Sequence, residues 1–137
     1  MFFRAAIFAG LFIVAACGGA EVTLEDRIQD AGTSCKSLVS NASLKTAGLE
    51  PDAYCACMVS VLEEWPEDRA VAVSHTLVYM SKHAETEGLK FKVLATKLID
   101  EANAPDASDL SANLGVGVGF VNQLVGRVSR RASNNKC

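Results

Sequence analysis

Apolar positions along the chain recur at steps of three and four residues, and no stretch keeps the strict two-residue alternation of a half-buried strand. That rhythm predicts an all-α fold. The stripe Leu24, Ile28, Ala31, Cys35, Leu38, Val39 and Ala42 marks a first helix starting near Thr23, and Leu44 falls on its wrong side. A helix continued to Ala47 would leave Cys35 about 18 Å from its end, too far to meet a cysteine early in the next helix, so a break is expected between Asn41 and Gly48. Pro51 suits the first turn of a second helix that buries Tyr54, Met58, Val61, Leu62 and Trp65, with Cys55 and Cys57 on the two flanks of that face. Trp65-Pro66 ends it, because a residue before proline is pushed out of the helical region. A third helix, opened by Pro66-Glu67-Asp68 and running to about Thr86, has Ala70, Val73, Leu77, Met80 and Ala84 inside and His75, Tyr79 and His83 outside. Gly88 separates it from a fourth helix with Phe91, Leu94, Ala95, Leu98 and Ala102 inward. Ala104-Pro105 stops that element, and Asp106 or Ser108 caps a fifth, from Leu110 to about Ala132. This longest pattern holds Leu110, Leu114, Val118, Val121, Val125, Val128 and Ala132 on one face and is expected to be the central or closing helix.

Ahead of these stripes, Arg4 is followed by an apolar run from Ala5 to Val14 that is too short to span a bilayer comfortably and leads into polar chain. A cleaved signal over residues 1–16 is expected. The junction Val14-Ala15-Ala16-Cys17-Gly18 resembles the lipobox of bacterial lipoproteins, in which an aliphatic residue and two small ones precede the cysteine that receives the lipid. The resemblance implies a lipidated Cys17; the length and helical stripes of the remaining chain lead us to expect a tether over 17–22 and a single helical domain over 23–137. Gly18, where Asp would favour inner-membrane retention, implies the outer membrane of a Gram-negative cell, facing the periplasm. An ordinary secretory signal would instead leave Cys17 unmodified near the N-terminus.

The chain has five cysteines, and setting Cys17 aside leaves Cys35, Cys55, Cys57 and Cys137, an even number in an exported protein. Two disulfides are expected. A Cys55–Cys57 bond would strain a helix, since i and i+2 point about 200° apart, so Cys35 and Cys137 each take one member of the pair. Two pairings satisfy this; Cys35 with Cys55 and Cys57 with Cys137 is preferred. The expected architecture is a small disulfide-braced bundle of about five helices.

Charge and motifs narrow the function by exclusion. The formal net charge of -3 gives no bias toward nucleic acid. Cys55-Ala-Cys57 lacks a thioredoxin-like spacing and the C-x-x-C-H of covalent haem, and a four-cysteine zinc site would need reduced thiols in an oxidising compartment. His75 and His83 lie about 12 Å apart along a helix, too far to chelate one ion. No Ser-His-Asp signature, phosphate-cradling loop or H-E-x-x-H occurs, so no enzyme activity, metal or cofactor is expected.

Two surface features remain. Gly115, Gly119 and Gly126 fall within about 40° of one another on the flank of the fifth helix, where a sibling helix or a partner backbone could approach closely. Arg127, Arg130, Arg131 and Lys136 form a basic tail opposite in sign to Glu50, Asp52, Glu63, Glu64, Glu67 and Asp68 around the second helix. Tyr54-Cys55-Ala-Cys57 resembles, in a general way, a run found in small helical bacterial lipoproteins; four residues carry that likeness. The expected role is a lipid-anchored binding or adaptor module for another envelope protein, as pilotin-like lipoproteins serve secretins, with any partner site on the fifth helix. The alternatives are a thiol or metal-handling protein using Cys55 and Cys57, or an immunity or exclusion factor.

Overall fold

The computed structural model describes residues 21–137; the expected signal over 1–16 and Cys17 lie outside the described residues. Five helices follow one another: α1 Leu24–Ser40, α2 Pro51–Glu63, α3 Glu67–Glu87, α4 Phe91–Ala102 and α5 Asp109–Ser133. There is no strand among the described residues.

Each boundary has a local cause. Thr23 opens α1 with a reciprocal capping box: its hydroxyl accepts from the Asp26 amide at 3.2 Å, and the Asp26 carboxylate accepts from the Thr23 amide at 2.9 Å. Two orphan donors are satisfied at once. Pro51 starts α2, where its missing N–H costs nothing. Gly88 stops α3 in the left-handed region at φ 65°, its amide returning to Ala84 O. Ser108 caps α5 by accepting from the Ser111 amide at 3.1 Å.

The expected break after α1 is a tight reversal. Ala42 takes φ 51°, and the amides of Ser43 and Leu44 both donate to Leu38 O. This turn exchanges two residues relative to the sequence pattern: Ala42, on the stripe, is exposed, and Leu44, off it, is buried. Ser43 then ties the loop to the α3–α4 connection, donating from its hydroxyl to Leu89 O and accepting from the Phe91 amide at its own carbonyl.

α3 packs against α1, α4 and α5, while α2 packs against α1 and α5. The helices α1, α3, α5 and α2 therefore close a ring, and α4 buttresses it from the side of α3 and α5. The centre of this ring is filled by Leu38, Tyr54, Met58, Leu62, Val73, Leu77, Met80, Val118, Val121 and Leu124, all fully buried. α3 and α5 each touch three other helices, and α5 closes the ring. Leu124 was absent from the sequence stripe, and Leu110 on that stripe is exposed, because the buried face of α5 follows Leu114, Gly117, Val121, Leu124 and Val128. Trp65 lies beyond the end of α2 and is half-buried at the edge of the core, where the Arg127 guanidinium sits 5.9 Å from its ring centre.

Two disulfides brace the ring. Cys35 joins Cys55 with their Cα atoms 5.7 Å apart, linking α1 to α2, and Cys57 joins Cys137 at 5.1 Å, linking α2 to the segment after α5. This is the pairing preferred from sequence. The second bond is reachable because the chain turns back past α5: Asn135 adopts φ 51° and the Lys136 amide donates to Arg131 O at 2.8 Å.

Candidate functional site

The glycine flank of α5 divides into three different environments. A Cβ placed on Gly115 would come 2.4 Å from Ala102 Cβ, so this position is already covered by α4. Gly119 faces open space, and at Gly126 only the tip of Arg130 comes near. The closest approach along the helix belongs to a glycine outside that set. A Cβ on Gly117 would lie 1.9 Å from Thr76 Oγ1 and 3.1 Å from Ala72 O, so α3 and α5 cross in contact only because the residue has no side chain. Its position four residues before Val121, on the buried face, is the sequence signal that would have singled it out.

The basic tail is partly engaged within the molecule. Arg131 and Glu64 form an ion pair at 2.5 Å, which holds the Glu64 carboxyl below its ordinary range and the guanidinium above its own. Arg127 lies over Trp65, while Arg130 and Lys136 remain exposed. The tail and the acidic surface around α2 thus meet at the end of the bundle clasped by Cys57–Cys137. Lys36 makes a second, looser pair with Asp52 at 3.4 Å.

Both members of the Cys55-Ala-Cys57 run are buried and sit in different disulfides. As helix geometry requires, they grip different neighbours. His83 and Glu87 pair at 2.8 Å, one turn apart on α3, and the imidazole is the first cause holding the Glu87 carboxyl below its ordinary range. The His83 ring also packs against Tyr79, with centroids 4.2 Å apart. His75 faces α1 instead and accepts from Arg27.

An open groove of about 660 Å³ lies between α1 and α2. Leu24, Ile28 and Val59 supply apolar surface, and Gln29, Thr33, Lys36 and Glu63 supply a polar rim. Its floor depends on Gly32: a Cβ there would stand 3.0 Å from Val59 Cγ2, so the glycine lets the two helices approach and leaves the cleft above them. Sequence reasoning missed this groove, because Gly32 sits inside an otherwise regular stripe and only the crossing of α1 over α2 reveals what it does. Among the described residues, no helix is long and apolar enough to cross a membrane. Comparison with protein-family models, curated proteins and solved structures finds no match.

Proposed function

We propose that the protein is a lipid-anchored adaptor of the cell envelope, held at the membrane through Cys17 and receiving an apolar helical or extended segment of another envelope protein in the α1/α2 groove. The observation that carries this reading is where the groove opens. Leu24, the first residue of α1, lines it, so one end of the groove lies where the chain runs back to Cys17. Seven residues span at most about 25 Å, so a lipid on Cys17 would keep the groove within that reach of a membrane surface. Apolar walls with a mixed-charge rim suit a partner helix that buries one face and leaves the other in water. The disulfide between α1 and α2 ties together the two walls and limits how far they can part. Engagement of Cys55 and Cys57 in separate bonds supports a bracing role over thiol or metal chemistry.

A photo-crosslinking residue at Thr33, on the groove rim, is expected to capture a discrete envelope protein in intact cells, while one at the exposed Gln123 of α5 captures none. Cys17→Ser should abolish metabolic palmitate labelling and release the protein from the membrane fraction. Palmitate that persists in Cys17→Ser removes the anchor from this reading, and equal capture from both crosslinker positions removes the groove.

A further inference from the structure

Between α1 and α3, on the side of the bundle away from the α1/α2 groove, lies a smaller cleft of about 240 Å³. Its α1 wall carries Arg27 and Asp30, three residues apart and thus on one face. Its α3 wall carries Ser74, His75, Val78, Tyr79 and Lys82, of which His75, Val78, Tyr79 and Lys82 follow the i, i+3, i+4, i+7 spacing of a single face. One of these groups is out of place for a packing surface. Ser74 is 1% exposed, and its hydroxyl has no hydrogen-bond partner among the described residues. A serine inside a helix can return its proton to the carbonyl four residues back, as Thr76 does to Ala72 at 2.9 Å on the same helix, and Ser74 does not. A buried hydroxyl without a partner costs free energy, and in the wall of a cleft it offers a donor that a ligand atom can complete.

The charges around it define that ligand. Arg27 and Lys82 are fixed cations, and Asp30 is a fixed anion. In the Arg27–His75 contact the guanidinium can only donate, so His75 Nε2 accepts. The cleft therefore holds one net positive charge, which suits a monoanion better than a phosphate dianion facing Asp30. Val78 and the Tyr79 ring add apolar wall, and the volume is that of a ligand with one ring or a short aliphatic body. The geometry points to a binding site for a small amphiphilic carboxylate, its oxygens held by Arg27, Lys82 and the Ser74 hydroxyl and its apolar body lying along Val78 and Tyr79. A planar carboxylate matches the two-pronged donor face of a guanidinium, and its second lone pairs remain available to the hydroxyl. A free organic acid and the C-terminal residue of a peptide share this chemistry.

The test is titration of the folded protein, followed by amide and side-chain NMR, with 3-phenylpropionate, with N-acetyl-Gly-Phe and with inorganic phosphate. Saturable shifts centred on Ser74 to Lys82 and on Arg27 are expected for at least one carboxylate, at about millimolar affinity, with phosphate weaker. Binding of 3-phenylpropionate identifies a free acid as sufficient, and binding of the dipeptide alone identifies a chain terminus. Arg27→Gln should weaken the interaction about tenfold, the loss of one charge-assisted pair. Ser74→Ala separates binding from packing: it should weaken binding several-fold while leaving the ligand-free protein as stable as, or more stable than, the parent. A role in packing alone would lower stability and leave affinity unchanged. Arg130→Gln, on α5 and outside the cleft lining, should bind like the parent. No saturable shift for either carboxylate at about 10 mM, phosphate binding more tightly than both, or unchanged affinity in Arg27→Gln would each overturn the assignment.

Discussion

At the scale of single residues, Tyr54 holds an unusual position, fully buried on α2 with its hydroxyl lacking a hydrogen-bond partner among the described residues. Burial disfavours the phenolate and raises its pKa from 10.0 to about 12. The neutral form is the one that folding favours, so its contribution is fully present below pH 10 and is lost as the pH rises from 10 to about 12. Tyr54→Phe removes both the unpartnered hydroxyl and this titration. It should raise stability at neutral pH by about 1 kcal/mol in urea unfolding, and its advantage over the parent should widen above pH 10. A Tyr54→Phe protein less stable than the parent by a similar amount would mean that the hydroxyl has a partner, such as a buried water. Glycines show the same dependence on surroundings. Gly117→Ala drives a methyl into Thr76 and the α3 backbone and should cost about 1–3 kcal/mol, whereas Gly119→Ala meets nothing and should gain about 0.5–1 kcal/mol from helix propensity. Thermal melts of the two variants that shift in the same direction would contradict that assignment of environments.

At the scale of elements, the helices themselves were legible from the chain because most of their starts, and the stop of α3, are written in local chemistry: Thr23 with Asp26, Pro51, Pro66, Gly88 and Ser108 all act through neighbours within four residues. Burial was legible where a stripe stays helical and failed where the backbone leaves the helix. Ala42 and Leu44 changed places because a left-handed residue redirects the chain, and Leu110 is exposed because the α5 face that meets the core starts only at Leu114. Which glycine is indispensable, and where the grooves lie, depended on how helices cross, and periodicity carries no information about crossing partners. The cross-links lie between these extremes: helix geometry forbade one pairing, and the loop before α2 and the turn after α5 supply the rest. In the chain-entropy view the bond closing 20 residues contributes about 3 kcal/mol and the one closing 80 about 4.5 kcal/mol. Cys137→Ser is therefore expected to destabilise the protein more than Cys35→Ser in urea unfolding, and to leave Cys57, not Cys55, reactive to a thiol probe. Labelling of Cys55 in Cys137→Ser would overturn the pairing, and a larger loss from Cys35→Ser would show that native packing around the buried Cys35–Cys55 bond outweighs loop length.

At the scale of the whole molecule, stability rests on a ring of four helices whose ends are fastened by polar contacts at the surface. Three of these involve carboxylates titrating below their ordinary values: Asp26 through the Thr23 amide and hydroxyl, Glu64 through Arg131, and Glu87 through His83 and then Lys97. They sit at the start of α1, between α2 and α5, and between α3 and α4, so acidification loosens all of these contacts. In each case the folded state keeps the carboxylate ionised to a lower pH than the unfolded chain does. The unfolded state then binds more protons as the solution is acidified, and stability must fall. The contribution is complete above the ordinary value of 4.5 for the glutamates and 3.8 for Asp26, and it disappears as the pH falls through the lower folded values. Because all three groups face solvent, salt should reduce the Glu64 and Glu87 effects, while the Asp26 hydrogen bonds, formed within one turn, should be less sensitive. Melting temperatures measured from neutral pH down to about pH 3 are expected to fall in the parent and to fall less steeply in the combined variant Asp26→Asn, Glu64→Gln, Glu87→Gln, which begins less stable and has less to lose. Parallel curves for the two proteins would mean that acid unfolding is driven by general repulsion among the unneutralised lysines and arginines rather than by release of these three fastenings.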